Sequence, residues 1–155
     1  MYHWAGQIRT VDISKKGTRF TLAENIERQA ELIFQRLKDC NYFKGLPYDE
    51  FVEEIVDFYC VTNELHPFRE GNGRATRIWL DCMLKKEIGM VVDWSKVDKE
   101  DYLLAMERSP VRDIEIKHVL RAALTDQVNS REMFMKGIDH SYYYEGYTAF
   151  QTEKL

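Results

Sequence analysis

Twelve consecutive residues, His66-Pro67-Phe68-Arg69-Glu70-Gly71-Asn72-Gly73-Arg74-Ala75-Thr76-Arg77, constrain this chain more than any other stretch. Proline disfavours helical geometry in the residue before it, so a helix arriving from the N-terminal side should end near Leu65. Gly71-Asn72-Gly73 then reads as a turn. The residues from Arg74 to Ile88 lack proline and glycine and read as a long helix, which Gly89 closes. Two helices must therefore meet across a tight polar loop. That junction also crowds one imidazole, one carboxylate and three guanidiniums together, a set ill suited to a hydrophobic core.

The same residues suit phosphate chemistry. Free N–H groups of a glycine turn and the positive end of the following helix point at one small volume, where anions bind. Glycines at 71 and 73 admit an oxyanion that a side chain would bar, and Asn72 adds an amide able to donate to a phosphate oxygen. Arg74 and Arg77 lie three apart on one helix face, and guanidinium forks match phosphate oxygens. Glu70 offers the kind of oxygen ligand Mg²⁺ takes, with water and phosphate completing the shell. His66 is the one titratable group here whose ordinary pKa lies near neutrality, which makes it the natural base for a hydroxyl nucleophile. Zinc is disfavoured, since no second ligand follows at a standard spacing. Each feature alone has a plainer meaning: glycine turns before helices are common, surface arginines pair with acids, and single histidines are mostly structural. Their coincidence is what points to phosphate.

The 155 residues, 45% of them hydrophobic, fit one domain spanning 1–155 with one core. Met1 to Gly6 gives no helix entry, which suggests that the chain begins inside a longer natural sequence. Residues 7–22 alternate around the turn-like Ser14-Lys15-Lys16-Gly17-Thr18 and predict a hairpin that must lean on the rest. Thr21 and Glu24 have capping-box spacing, predicting a helix over about 22–39 with Ile26, Ala30, Ile33 and Leu37 inward. Gly45 and Pro47 open a second helix, whose start is loaded with Asp49, Glu50, Glu53 and Glu54. In the helix after the glycine turn, Ile78, Cys82, Trp79 and Met83 are expected to face the core. Asp98 and Asp113 are predicted N-caps, and Ser130 should cap a helix ending at Gly137. One or two further turns follow over 139–146. The expected fold class is all-α, a bundle of about six to eight helices with one small β-hairpin.

Charge and cysteine use exclude several classes. A formal net charge of -4 and the lack of a dense basic tract argue against direct nucleic-acid binding. Cys40, Cys60 and Cys82 are widely spaced and read as reduced core thiols. With no signal peptide and no apolar run of membrane-spanning length, a cytoplasmic protein without membrane contact is expected.

The central run resembles the signature of Fic-domain proteins, His-x-Phe-x-(Asp/Glu)-Gly-Asn-Gly-Arg-x-x-Arg. His66, Phe68, Glu70, Gly71, Asn72, Gly73, Arg74 and Arg77 match every defined position. The resemblance implies a helical Fic fold and transfer of AMP from ATP to a protein hydroxyl, releasing pyrophosphate. It would make His66 the base, Glu70 the Mg²⁺ ligand, Gly71-Asn72-Gly73 the anion cradle, and Arg74 and Arg77 clamps on the β- and γ-phosphates. Trp4 to Arg9 and the hairpin look like the family's flap, where a target protein docks by strand addition. Family members usually carry a helix upstream of that point, in keeping with a trimmed start. Gly73 resembles the AMP-transferring members, since the Doc-like branch, which phosphorylates its target, has lysine there.

Ser141-x-x-x-Glu145-Gly146 is similar to the family's inhibitory motif, at the place typical of members with the brake in their own last helix. The resemblance implies that Glu145 pairs with Arg77 and occupies the fork meant for the γ-phosphate. Tyr142 and Tyr147 would then be self-modification targets once the tail detaches, and a homo-oligomer holding the tail would reinforce the brake. Two other readings stay open: a nucleotide- or protein-binding module without turnover, and removal of AMP by the same site.

Overall fold

A computed structural model describes residues 2–15 and 18–144. The order is β1 (Ser14–Lys15), β2 (Thr18–Arg19), α1 (Ile26–Asp39), α2 (Tyr48–Leu65), α3 (Asn72–Ile88), β3 (Val91–Val92), α4 (Lys99–Arg108), α5 (Ile114–Ala122), β4 (Leu124–Thr125) and α6 (Arg131–Tyr144). The architecture is mostly helical, as expected, with two antiparallel strand pairs. β1 pairs with β2, Ser14 opposite Arg19, and β3 pairs with β4, Val91 opposite Thr125. Among the described residues no helix is long and apolar enough to cross a membrane.

α2 is the central element, packing against α1, α3 and α5. Its apolar residues crowd more than one row, and Phe51, Val52, Ile55, Val56, Phe58 and Tyr59 are all buried. A helix apolar on several sides must lie inside a bundle. Acids in its first turn, Asp49 and Glu50, match the positive N-terminal dipole. Arg121 of α5 donates to Asp49 and Glu53 and ties the surface of that end together.

Several local expectations are corrected. Thr21 does not cap the first helix. Its hydroxyl donates to the Glu64 carbonyl, while the Ala23 N–H at the opening 3₁₀ turn is taken by Asp12. Asp98 caps α4 through the Glu100 and Asp101 N–H groups, but Asp113 makes no cap and instead pairs with Lys117. In α3, Ile78 and Cys82 face outward. The buried row is Leu80 and Leu84 with Thr76 and Arg77, so the helix is rotated to bring its arginine inside. Cys40 is exposed like Cys82, leaving Cys60 as the buried thiol.

The largest revision lies at the tail. Ser130 caps the last helix through the Met133 N–H, but the helix does not stop at Gly137. It runs unbroken to Tyr144, so 139–144 belongs to α6 and not to a separate short helix. Gly137 sits within it against Trp94, where a Cβ would make an ordinary contact of 3.5 Å with Cδ1. The predicted hairpin over 7–22 is also shorter in strand: pairing is confined to 14–15 and 18–19, and residues 7–12 form an irregular strap.

Candidate active site

His66 ends α2 in the left-handed region, at φ 46° and ψ 58°. The backbone thus turns before Pro67, which could not follow a helical residue comfortably. Nδ1–H of His66 donates to the Asn63 carbonyl at 3.0 Å. A carbonyl only accepts, so the proton sits on Nδ1 and Nε2 of the neutral ring keeps its lone pair. Burial pushes the imidazole down to about 4, opposed by the Asn63 hydrogen bond and assisted by the positive charges of Arg9 and Lys15. At neutral pH the ring is an uncharged base. Phe20, just after β2, stacks on it with centroids 3.7 Å apart and planes 12° apart.

The loop that follows is held by Asn72. The Phe68 N–H donates to Asn72 Oδ1 at 2.8 Å, and Asn72 Nδ2 donates to the Phe68 carbonyl at 2.7 Å. This buried amide braces the turn. Gly71 caps α3 with φ 83°, a conformation costly for residues with a Cβ. Gly73 is constrained by closeness instead, since a Cβ there would lie 3.0 Å from Arg77 Nη1. Arg74 also curls back, its Nη2 lying 3.4 Å from the same point on Gly71. Both guanidiniums therefore lie over the first turn of α3, at the positive end of the helix.

Arg77 is 4% exposed. Its Nε donates to Ser141 Oγ at 3.2 Å, Nη2 to the Ser141 carbonyl at 3.3 Å and Nη1 to the Tyr102 hydroxyl at 3.5 Å. The guanidinium also sits 5.3 Å from the Tyr144 ring centre and 5.9 Å from that of Trp94. Arg74 lies 5.0 Å from the ring centre of Tyr142. α6 thus covers both Arg74 and Arg77. Glu145, Gly146 and Tyr147 lie outside the described residues. Tyr144 anchors the end of α6, its hydroxyl donating to the Val97 carbonyl at 2.8 Å and the Trp94 carbonyl at 3.1 Å. Trp94 is fixed in turn by Asp81, which accepts from its Nε1 at 2.9 Å and from the Val92 N–H at 2.8 Å. Burial raises that carboxyl to about 6.

Glu70 is exposed at the loop. Among the described residues no group of three His, Cys, Asp or Glu side chains could hold a metal alone. One exposed carboxylate fits Mg²⁺, which is commonly held by one or two carboxylates plus phosphates and water.

A strap from the N-terminal side completes the site. The Arg9 N–H donates to the Pro67 carbonyl at 2.9 Å, placing residues 7–12 beside His66. Residues 1–84, which contain the strap, the hairpin and the whole loop, match the model of the Fic/DOC family. The chain belongs to this family.

The Fic chain is 32% identical over 127 residues to the probable protein adenylyltransferase Fic of Salmonella typhimurium, covering 81% of this chain and 63% of that protein. It is 36% identical over 143 residues to the protein adenylyltransferase VbhT of Bartonella schoenbuchensis, covering 90% of this chain and 29% of that one. It therefore spans less than two thirds of the length of these relatives. Among solved structures it is similar to the BepC protein of Bartonella tribocorum, a VirB-translocated effector with bound AMPPNP. The TM-score is 0.68 at 26% identity, over 77% of this chain and 58% of that one. The Fic fold reading of the loop is thereby upheld. Sequence reasoning missed the partners that hold the site: Phe20, Tyr102, Trp94 and Tyr144. Arg9 was legible only as part of a flap-like segment.

Proposed function

We propose that this chain transfers AMP from ATP to a hydroxyl of a target protein and releases pyrophosphate. The observation that carries the reading is a neutral imidazole whose Nε2 keeps its lone pair, placed one short loop from two guanidiniums that fold over a helix N-terminus. The names of the Salmonella and Bartonella relatives, and the AMPPNP bound to BepC, support the same chemistry.

His66 Nε2 takes the proton of the target hydroxyl as its oxygen attacks the α-phosphorus. The new O–P bond forms as the α–β bridging bond breaks, and pyrophosphate carries away the electron pair. Backbone N–H groups at the start of α3 hold phosphate oxygens, with Asn72 shaping the turn. Arg74 and Arg77 bind the β- and γ-phosphates, stabilising charge on the leaving group. Glu70 would hold Mg²⁺ jointly with those phosphates, where a bound ion supplies charge neutralisation. The target docks along the hairpin by strand addition.

The tail acts as a brake. Support comes from Ser141, which accepts from Arg77 through both its hydroxyl and its carbonyl, and from Tyr142 and Tyr144 lying on the two guanidiniums. Glu145 completes the hold by pairing with Arg77. Tyr142 and Tyr147 become substrates for self-modification only after α6 lifts away.

Incubation of the full chain with labelled ATP and Mg²⁺ tests this. Glu145→Gly should raise label transfer and pyrophosphate release, and His66→Ala should lower both by roughly 10²-fold or more in either background. Stoichiometric ATP binding by Glu145→Gly with no pyrophosphate release would replace the enzyme with a binding module.

A further inference from the structure

Arg9 is a guanidinium buried to 2% exposure, the largest fully buried side chain among the described residues. Its donors go to main-chain carbonyls: Nε to His66 at 2.8 Å, Nη1 to Val11 at 2.8 Å, and Nη2 to Thr21. Its own N–H binds the Pro67 carbonyl. One residue therefore grips the His66 and Pro67 carbonyls, the strap two residues on, and the segment just after β2 that carries Phe20.

Packing does not explain this choice. Burying a cation against neutral carbonyls is costly, and burial lowers the pKa of Arg9, with Asp12 offsetting only part of the effect. An aliphatic side chain would fill the same space without desolvating a charge. What the fork supplies is a fixed direction for each carbonyl. His66 holds a left-handed backbone conformation without being glycine, which strains it unless its surroundings insist on it. Arg9 binds the carbonyl of that strained residue. Through Thr21 it also sets where the adjacent Phe20 ring stands over the imidazole.

Resting on the adenylyltransferase reading, we infer that Arg9 is a positioning residue, clamping the backbone of His66 and the segment after β2 that carries Phe20 so that Nε2 of the base faces the nucleotide. The charged groups acting on the imidazole are Arg9 from the strap and Lys15 from β1, both disfavouring its protonation. Removing the Arg9 charge should therefore move the His66 titration as well as the rate, which a merely structural role would not do.

Arg9→Met and Arg9→Lys are compared with the parent, with and without Glu145→Gly, by NMR titration of His66, by kcat and KM for ATP, and by thermal midpoint. In Arg9→Met the His66 midpoint should rise toward the ordinary 6.5. Its kcat should fall roughly tenfold or more while KM for ATP stays within about twofold. Arg9→Lys keeps the charge but not the fork, so its titration should stay low while kcat falls by an intermediate factor. A folded Arg9→Met with unchanged titration and unchanged kcat overturns the inference. So does a fall in kcat that only tracks the folded fraction. If Arg9→Met does not fold, Arg9→Lys decides, and a kcat equal to the parent's overturns the clamp. Should the Glu145→Gly form transfer no AMP either, the adenylyltransferase reading fails, and the His66 titration still judges the clamp.

Discussion

Two buried arginines flank the same loop, and they are held in different ways. Arg9 directs its donors to main-chain carbonyls, groups that belong to the fold and have nowhere else to go. Arg77 meets Ser141, the Tyr102 hydroxyl and the faces of Tyr144 and Trp94. A polyphosphate, with charged oxygens, is a stronger acceptor for a guanidinium than the Ser141 carbonyl, a hydroxyl or an aromatic face. The difference separates two jobs that one residue type can do. On the function proposed above, the strap side would hold the base in permanent geometry, while the tail side would hold the phosphate-binding group by contacts that a ligand can displace.

The sharpest way to break this comparison is to loosen the tail at its anchor. Tyr144→Phe keeps the ring among Trp94, Tyr102 and Arg77 but strips the donor from the Trp94 and Val97 carbonyls. Losing a buried hydrogen bond of this kind costs about 1–3 kcal/mol. If α6 opens as a unit of its own, hydrogen exchange at its amides should speed up by roughly five- to a hundredfold. The Arg9 amide bound to Pro67 should be unaffected. Equal acceleration at both places would show that tail and strap open together, and the distinction between permanent and displaceable contacts would fall.

How much of this could be read in the residues follows from the same contrast. The loop from His66 to Arg77 was legible because its determinants are local: proline ends α2, glycines turn the chain, and the arginines recur at helical spacing. Ser141 was reached by resemblance, although it lies 64 residues from Arg77. The rest depends on partners that only packing reveals. Arg9 meets His66 across 57 positions, and Tyr144 meets Trp94 across 50. The outward turn of Ile78 and Cys82 was misjudged for a related reason: a helix with apolar residues on several rows gains more from burying Leu80 and Leu84, and Arg77 shares their face. Asp113, given the option of Lys117 one turn later, pairs with it and leaves the helix start uncapped.

A smaller effect tests the strap side by pH. His66 in the folded chain is pushed down to about 4 from an ordinary 6.5, so between those values the unfolded chain binds more protons than the folded one. Its neutral burial therefore supports the fold fully above about 6.5, and that support is lost as pH falls toward 4. Asp81 acts in the opposite sense, because its raised value makes the folded chain take up a proton earlier. The two are separated by comparing wild type with His66→Gln in denaturant titrations from pH 7 to pH 4. Wild type should lose stability relative to the variant across that window, while Asp81 contributes equally to both. A constant difference would mean that the imidazole charges as easily in the fold as outside it.

The smallest expected effect concerns Ser141. Ser141→Ala removes the Oγ that accepts from Arg77 Nε but leaves the backbone carbonyl that accepts from Nη2, and the Tyr144 ring still lies against the guanidinium. One of several contacts is lost, at a cost of about 1 kcal/mol, the low end for an acceptor taken from a buried guanidinium, because Nη2 keeps the Ser141 carbonyl. Thermal midpoint should therefore shift by no more than a few degrees. AMP transfer should rise only modestly, roughly two- to fivefold, and far less than in Glu145→Gly. The ordering is informative in itself. If Ser141→Ala released activity as fully as Glu145→Gly, the serine hydroxyl would be the principal hold on Arg77 and the aromatic faces mere neighbours. If it released none, the carbonyl and the rings would suffice to keep the guanidinium covered, and displacement by ATP would have to begin at the Tyr144 end of α6.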